Sequence, residues 1–265
     1  MKTNVSILLA CLLSMIMNSC NSFQMIRGDG NLVTQTLTLD DYDVIEASHL
    51  MKATYIQSEE TPTLTVTTDQ NILEKYIFRV AGDKLQIKPK DEYRHANFFP
   101  TQFTVSTHSK GLRKVDLAGS VTFDLDSPFT GDELEINLAG SGTISLNDQV
   151  TLNELDVDLA GSSTFNAFKL NGKEFDGDVA GSGKINLGGA MTKASFDIAG
   201  SGTVRAFDLQ VDDMRCNIAG SGDIEISVSN SISADVAGSG RIKYKGNPQA
   251  IQKKIAGSGS IKKMD

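Results

Sequence analysis

The chain has 265 residues, 40% hydrophobic and 22% charged, with a formal net charge of -8. That is enough for one large domain or two small ones with a sizeable core, and the acidic balance argues against a nucleic-acid binder. Only 3 His and 3 Cys leave few residues for metal or nucleophile chemistry, while 24 Gly against 5 Pro favour ordered tight turns over disorder.

The first stretch, MKTNVSILLACLLSMIMNSC, has Lys2, an apolar run from Val5 to Met17 and then Asn18-Ser19-Cys20. The run is shorter than the roughly 20 residues of a spanning helix, so residues 1–19 read as a secretory signal peptide. The pattern resembles a bacterial lipoprotein signal, in which the Cys becomes the acylated first residue; Met17 replaces the usual aliphatic residue. Cys20 is therefore the expected lipid attachment and membrane contact, and 20–29 the expected lipidated tether. Cleavage removes Cys11, and acylation occupies Cys20. Cys216 then lacks a disulfide partner, although an exported location permits disulfides. Within the tether, Arg27-Gly28-Asp29 spells an integrin-recognition tripeptide, so close to the membrane that coincidence is the better reading.

Residues 30–111 are β-rich but irregular. Thr63–Thr67 and Lys84–Lys88 alternate apolar and polar residues as strands do, and Asp69 to Tyr76 has room for one short helical turn. The least repetitive stretch, Asp91 to Phe103, groups Tyr93, Arg94, His95, Phe98 and Phe99. Aromatic faces beside an Arg and a His suit a sugar-binding surface, which makes these five the ligand-binding candidates. An apolar loop that seals the edge of the fold competes with that reading.

From residue 112 to 265 one phrase dominates. Ala-Gly-Ser recurs from Ala118, Ala139, Ala160, Ala180, Ala199, Ala219, Ala237 and Ala256, at spacings of 21, 21, 20, 19, 20, 18 and 19. Eight copies at a near-constant period mean a solenoid. Period-2 alternation flanks each turn, as in Leu155–Leu159 and Thr143–Leu146, and the whole pattern repeats in one direction. The expected fold is thus all-β: a parallel β-helix of about 20-residue coils, its N-terminal end closed by residues 30–111. The pair is taken as one domain, 30–265. Gly119, Gly140, Gly161, Gly181, Gly200, Gly220, Gly238 and Gly257 never vary between copies, which predicts a positive φ at the turn. The second Gly of the phrase gives way to Val121 and Ser163, so it is the less constrained. Ala is expected over a crowded interior, and Ser to stack on Ser with bonded hydroxyls. Leu117, Leu138, Leu159, Val179, Ile198, Ile218, Val236 and Ile255 form one core column. Val115, Ile136, Val157, Gly177, Phe196, Cys216, Ala234 and Lys253 form its neighbour. Cys216 accordingly reads as a core hydrophobe, and Lys253 and Lys263 as polar ends of the last coil.

An outward column, Asp116, Asn137, Asp158, Asp178, Asp197, Asn217, Asp235 and Lys254, has the spacing to share Ca²⁺. The calcium-binding repeat itself is not matched, so a solvated column is preferred and no metal or cofactor is expected. Arg241, Lys243, Lys245, Lys253, Lys254, Lys262 and Lys263 make the C-terminal coils basic, which suits either an anionic glycan or protection of a strand edge.

The stretches DYDVIEAS and LTVTTDQNILEKYIFRVAGDKLQIK, with the later AGSG turns, resemble the auto-transporter adhesin head domain, or GIN domain, across roughly Gly28 to Lys263. The resemblance implies a β-helical, non-enzymatic, exported protein with no catalytic residues to carry over. The chain departs from a full auto-transporter, because nothing after Asp265 forms a membrane barrel and the lipid on Cys20 must hold it. The expected function is an exported adhesin, lipid-anchored to the outer membrane on the cell surface or facing the periplasm, that binds a glycan or protein through an extended β surface. A periplasmic scaffold is the alternative. A polysaccharide lyase is less favoured, since coils of 18 to 21 residues leave no long loops and the repeats contain no His. No oligomeric state follows from the sequence.

Overall fold

The structure, a computed structural model, describes residues 24–264; the expected signal peptide and the expected lipid attachment at Cys20 lie outside the described residues. The N-terminal part comprises β1 (Met25–Arg27), β2 (Leu32–Thr38), β3 (Val44–Gln57), β4 (Thr63–Asp69), the short helix α1 (Gln70–Leu73), β5 (Tyr76–Ala81), β6 (Lys84–Pro89), β7 (Asn97–Phe99) and β8 (Phe103–Ser109). The repeats follow as β9 (Lys114–Leu125), β10 (Phe129–Thr130), β11 (Glu133–Gly140), β12 (Thr143–Leu146), β13 (Val150–Gly161), β14 (Thr164–Gly181), β15 (Lys184–Gly200), β16 (Thr203–Gly220), β17 (Asp223–Gly238), β18 (Arg241–Lys245), β19 (Ala250–Gly257) and β20 (Ser260–Lys263).

Every repeat pairs in parallel with the next, in register, so that Ala139 lies on Ala160, Gly140 on Gly161 and so on to Ala237 on Ala256. This is the parallel β-solenoid that the 20-residue period demands. Each coil has three faces. One ends at the Ala-Gly turn. The second stacks Thr122–Leu125, Thr143–Leu146, Thr164–Ala167 and their successors. The third stacks Phe129 on Val150 and Val150 on Leu170. At about 4.8 Å per rung, β9 to β19 span roughly 35 Å.

The interior is filled from all three faces. Both core columns are buried through Val236 and Ala234, and Phe165, Phe175 and Phe196 are fully enclosed. Gly177 has a steric role: the Phe175 ring occupies the space a side chain would take, and Phe196 packs against Phe175 at 5.6 Å between centroids. Removing such a ring costs about 3–5 kcal/mol. Cys216 is buried among these residues. The columns end at β19, where Lys253 and Ile255 are exposed.

The turns separate two constraints. All eight first glycines have φ between 104° and 141°, a region that favours Gly. Here the Ser amide of each turn donates to the Gly carbonyl one coil below, as Ser201 N does to Gly181 O at 2.8 Å. A Cβ on the upper Gly would strike that same oxygen: Gly181 O lies 2.5 Å from the position a Cβ would take on Gly200. The second glycines have no positive φ, yet they are packed too: a Cβ on Gly202 would meet Val179 Cγ1 at 2.8 Å. Their freedom is therefore smaller than Val121 and Ser163 suggest. Ser163 is itself fully buried, and its hydroxyl finds no partner.

Two local expectations are corrected. The Ala residues of the turn point outward, not over the interior; Ala139, Ala160, Ala180 and Ala199 are exposed. Period-2 alternation requires this, because the preceding Leu, Val or Ile points in. The Ser side chains are exposed as well, and the turn is tied rung to rung by Ser amides in place of hydroxyl pairs.

The N-terminal part builds on the same sheet with mixed direction. β3 lies on β9 in parallel over Val44–Tyr55, forming one more rung below the repeats. β6 and β8 lie on the two halves of β3. β4 then runs antiparallel to β8, and β2 antiparallel to β4. The expected tether is shorter than 20–29: β1 pairs with β7, and Ile26 is buried at 6% exposure. Residues 25–29 thus belong to the domain.

Candidate functional site

The five candidates of the Tyr93–Phe99 stretch occupy an enlarged turn. β3 crosses from Ala47 to Lys52 in four intervening residues, whereas the rung on it crosses from Ile87 to Thr104 with the whole stretch between. Phe98 turns inward at 6% exposure and packs edge-on against Tyr76 at 5.0 Å and His49 at 5.6 Å. This corrects its assignment to an accessible surface. Phe99 is outward at 44% exposure, beneath the Arg27 guanidinium at 5.7 Å. Tyr93 is half-buried beside Lys75, and the exposed Arg94 donates to His95 Nε2 at 3.0 Å. The stretch is a plug whose outer side carries Tyr93, Arg94, His95 and Phe99, and these do not converge on one point.

Arg27-Gly28-Asp29 is part of the same plug. Gly28 N donates to Phe99 O at 2.9 Å, and Asn71 Nδ2 to Arg27 O at 2.7 Å. Fully buried Asp69 accepts from Gly30 N at 2.8 Å and Thr101 N at 2.7 Å. Burial raises its carboxyl, but those amides outweigh it and hold the group below its ordinary range.

A second feature lies along the repeats. The outward Ala column floors a groove of about 780 Å³ that crosses β3, β9, β11, β13, β14, β15 and β16. Ala leaves a hollow because nothing projects beyond Cβ. Along one side run Asp116, Asn137, Asp158, Asp178, Asp197 and Asn217, the outward column read from the sequence. Asn217 Nδ2 donates to Asp197 at 2.5 Å, and Asn137 Nδ2 to Asp116 at 2.8 Å. Lys114 lies 3.5 Å from Asp116. Asp178 is raised by burial and then by Asp158, Asp197 and Asp176.

The neighbouring outward column is more acidic. Glu154, Asp156 and Asp176 bring carboxylate oxygens within 4.8 Å of one another. Burial, then Glu154, Asp176, Glu133 and Glu135, push Asp156 up to about 6. Burial and like charges on adjacent rungs thus make Asp156 hold its proton to higher pH than an ordinary carboxyl. The basic C-terminal coils are partly self-neutralised: Arg241 pairs with Asp223 at 2.6 Å, Lys243 with Glu225 at 2.9 Å and Lys254 with Asp235 at 3.8 Å.

Sequence reasoning passed over one rung. Glu46-Ala47-Ser48-His49 stacks on Asp116-Leu117-Ala118-Gly119, and His49 holds φ 78° where the repeats have Gly. Its imidazole is lowered by burial. The alternation Val44-Ile45-Glu46-Ala47-Ser48 carries the signal, but the rung lacks the Gly that marks the period in the repeats.

Residues 41–169 and 136–248 match the family model described as "Putative auto-transporter adhesin, head GIN domain". Three crystal structures are similar over 91% of this chain and 100% of theirs. One is named "Putative lipid binding protein", from Parabacteroides distasonis, at 36% identity and TM-score 0.88. Two are named as putative adhesins: one from Parabacteroides merdae at 30% identity and TM-score 0.82, one from Parabacteroides distasonis at 31% and 0.84. No curated protein matches the chain.

Proposed function

The chain belongs to the family of auto-transporter adhesin head GIN domains, and on that premise we propose that it is a non-enzymatic binding module of the cell envelope whose Ala-Gly-Ser corner makes the contact. One observation carries the reading: the groove runs unbroken over stacked, in-register rungs from β3 to β16. Such a strip presents the same chemistry every 4.8 Å or so and suits an extended polymer or polypeptide. Each rung contributes little, and many heads on one membrane add avidity. The near-constant coil length projects no loops over the groove, which favours binding over turnover.

In this reading acylated Cys20 holds the protein to a membrane, in keeping with an exported adhesin-like family. Cys20 stands five positions before β1, so the plugged N-terminal end stays within about 18 Å of the lipid and the repeats reach outward. Replacement of Cys20 by Ser should release the protein to the soluble fraction; continued membrane fractionation at the mature mass would sink the anchor.

The binding reading is tested with the mature chain on an array of glycans and of envelope and matrix proteins, beside Ala160→Arg and Ala199→Arg variants. Saturable retention that both variants lose is expected. Turnover of any polysaccharide would overturn the non-enzymatic reading, and retention unaffected by both variants would overturn the groove.

A further inference from the structure

The groove is not charged evenly. At its β9 end Asp116 is met by Lys114 and Asn137. Beyond its β16 end, Asp235 is met by Lys254. Between them, no cation among the described residues pairs with Asp158, Asp178 or Asp197, which stand on consecutive rungs. The column behind them adds Glu154, Asp156, Glu174 and Asp176, with Lys193 3.9 Å from Glu174 and Arg215 two rungs above Asp176. Burial first, and then neighbouring carboxylates, raise the proton affinity of Asp178 and Asp176. The middle of the groove is an anionic strip that the fold itself leaves uncompensated.

The floor beside that strip is of a different kind. Ala139, Ala160, Ala180 and Ala199 expose methyl groups in a row. A sugar ring laid there would find few hydrogen-bond partners for hydroxyls facing the floor, and a polyanion would be repelled. A Lys or Arg side chain meets both surfaces at once. Its methylene stem lies on apolar ground while its charged head reaches carboxylates at the side. An open-ended groove admits such residues along an extended backbone, at about 3.3 Å per residue.

Resting on the reading of the groove as the binding face, we propose that its partner is an extended basic polypeptide segment, with Lys or Arg stems along Ala139–Ala199 and their heads at Asp158, Asp178 and Asp197. Charge complementarity makes association fast and salt-sensitive, and the narrow floor makes it selective for unbranched stems.

The probe is a fluorescein-labelled decapeptide of alternating Lys and Thr, with a Glu–Thr decapeptide as control, titrated by anisotropy against the mature chain. The Lys peptide should bind saturably and the Glu peptide should not. Asp158→Asn with Asp178→Asn keeps the shape and removes the charge; Ala180→Leu fills the floor and keeps the charge. Each should weaken the Lys peptide at least fivefold with no fall in melting temperature. Asp208→Asn, on another face, removes one charge and should leave affinity within a factor of two. Failure of the Lys peptide to saturate, or an equal loss in Asp208→Asn, would overturn the proposal. Self-association abolished by the groove variants would assign the groove to a second copy and overturn it as well. If a ligand from the array is lost in Ala180→Leu while the Lys peptide never binds, the groove stands as the binding face and the basic partner alone is refuted.

Discussion

A Cβ placed on Gly200 would lie 2.5 Å from the carbonyl oxygen of Gly181, the oxygen that accepts the Ser201 amide at 2.8 Å. The hydrogen bond that ties one turn to the next is thus the feature that excludes a side chain. Gly200→Ala should cost several kcal/mol, on the order of 3 or more, from positive φ and backbone displacement together. Gly202→Ala meets only the Val179 and Ile198 side chains and should cost about 1–3 kcal/mol. Denaturant melts of the two variants check this; equal losses would refute the division of roles.

The acidic column should make stability fall as pH rises. Asp156 titrates near 6 in the folded chain against an ordinary value of 3.8. Between those values the folded chain holds a proton that the unfolded chain releases, so stability is full below about 4 and is lost through about 6. Asp223 and Glu135 are moved the other way by Arg241 and Lys114 and lose their contribution at lower pH. Maximum stability is expected in mild acid. Asp156→Asn should add about 1 kcal/mol at neutral pH, after allowance for screening, and little near pH 4. An unchanged pH slope would refute the assignment.

Cys216 should be inert while the chain is folded. Burial, then Asp197 and Asp235, push its thiol up to about 12, and the thiolate is the reactive form. Thiol-labelling reagents at mildly alkaline pH should modify it only after denaturation. Rapid labelling of the native chain would contradict the packing of that column.

The N-terminal plug should depend on Asp69. Removal of its carboxylate in Asp69→Ala leaves the Gly30 and Thr101 amides without their acceptor and should cost about 2–3 kcal/mol. Trypsin should then cleave after Arg27 faster than in the wild type, because β1 is held by one short pairing with β7. Equal cleavage rates would mean that the plug does not rest on this residue.

The solenoid was legible because its period is carried by Gly, whose φ no other residue adopts cheaply, and because Leu159, Val179 and Ile198 alternate with Asp158, Asp178 and Asp197. The rung at Glu46–His49 was not, since His49 takes the left-handed turn without Gly. The groove was hidden by a misjudged parity: a turn suggests crowding, whereas Ala160 follows inward Leu159 and must face out. Phe98 and Phe99 are adjacent in sequence and opposite in direction, which strand alternation permits but composition alone does not assign. The shortened tether depends on a pairing between Ile26 and Phe98 across the whole N-terminal part, a contact no local pattern encodes.

The most direct test of the binding face sets the groove against the plug. Beads coated with the wild-type head, with Ala160→Arg and Ala199→Arg together, or with Tyr93→Ala and Phe99→Ala together are washed over the ligand that the array identifies, and the retained fraction is counted. The account predicts at least a tenfold loss for the groove pair and near-wild-type retention for the plug pair, with all three proteins folded. Full retention by the groove pair and loss by the plug pair would contradict it.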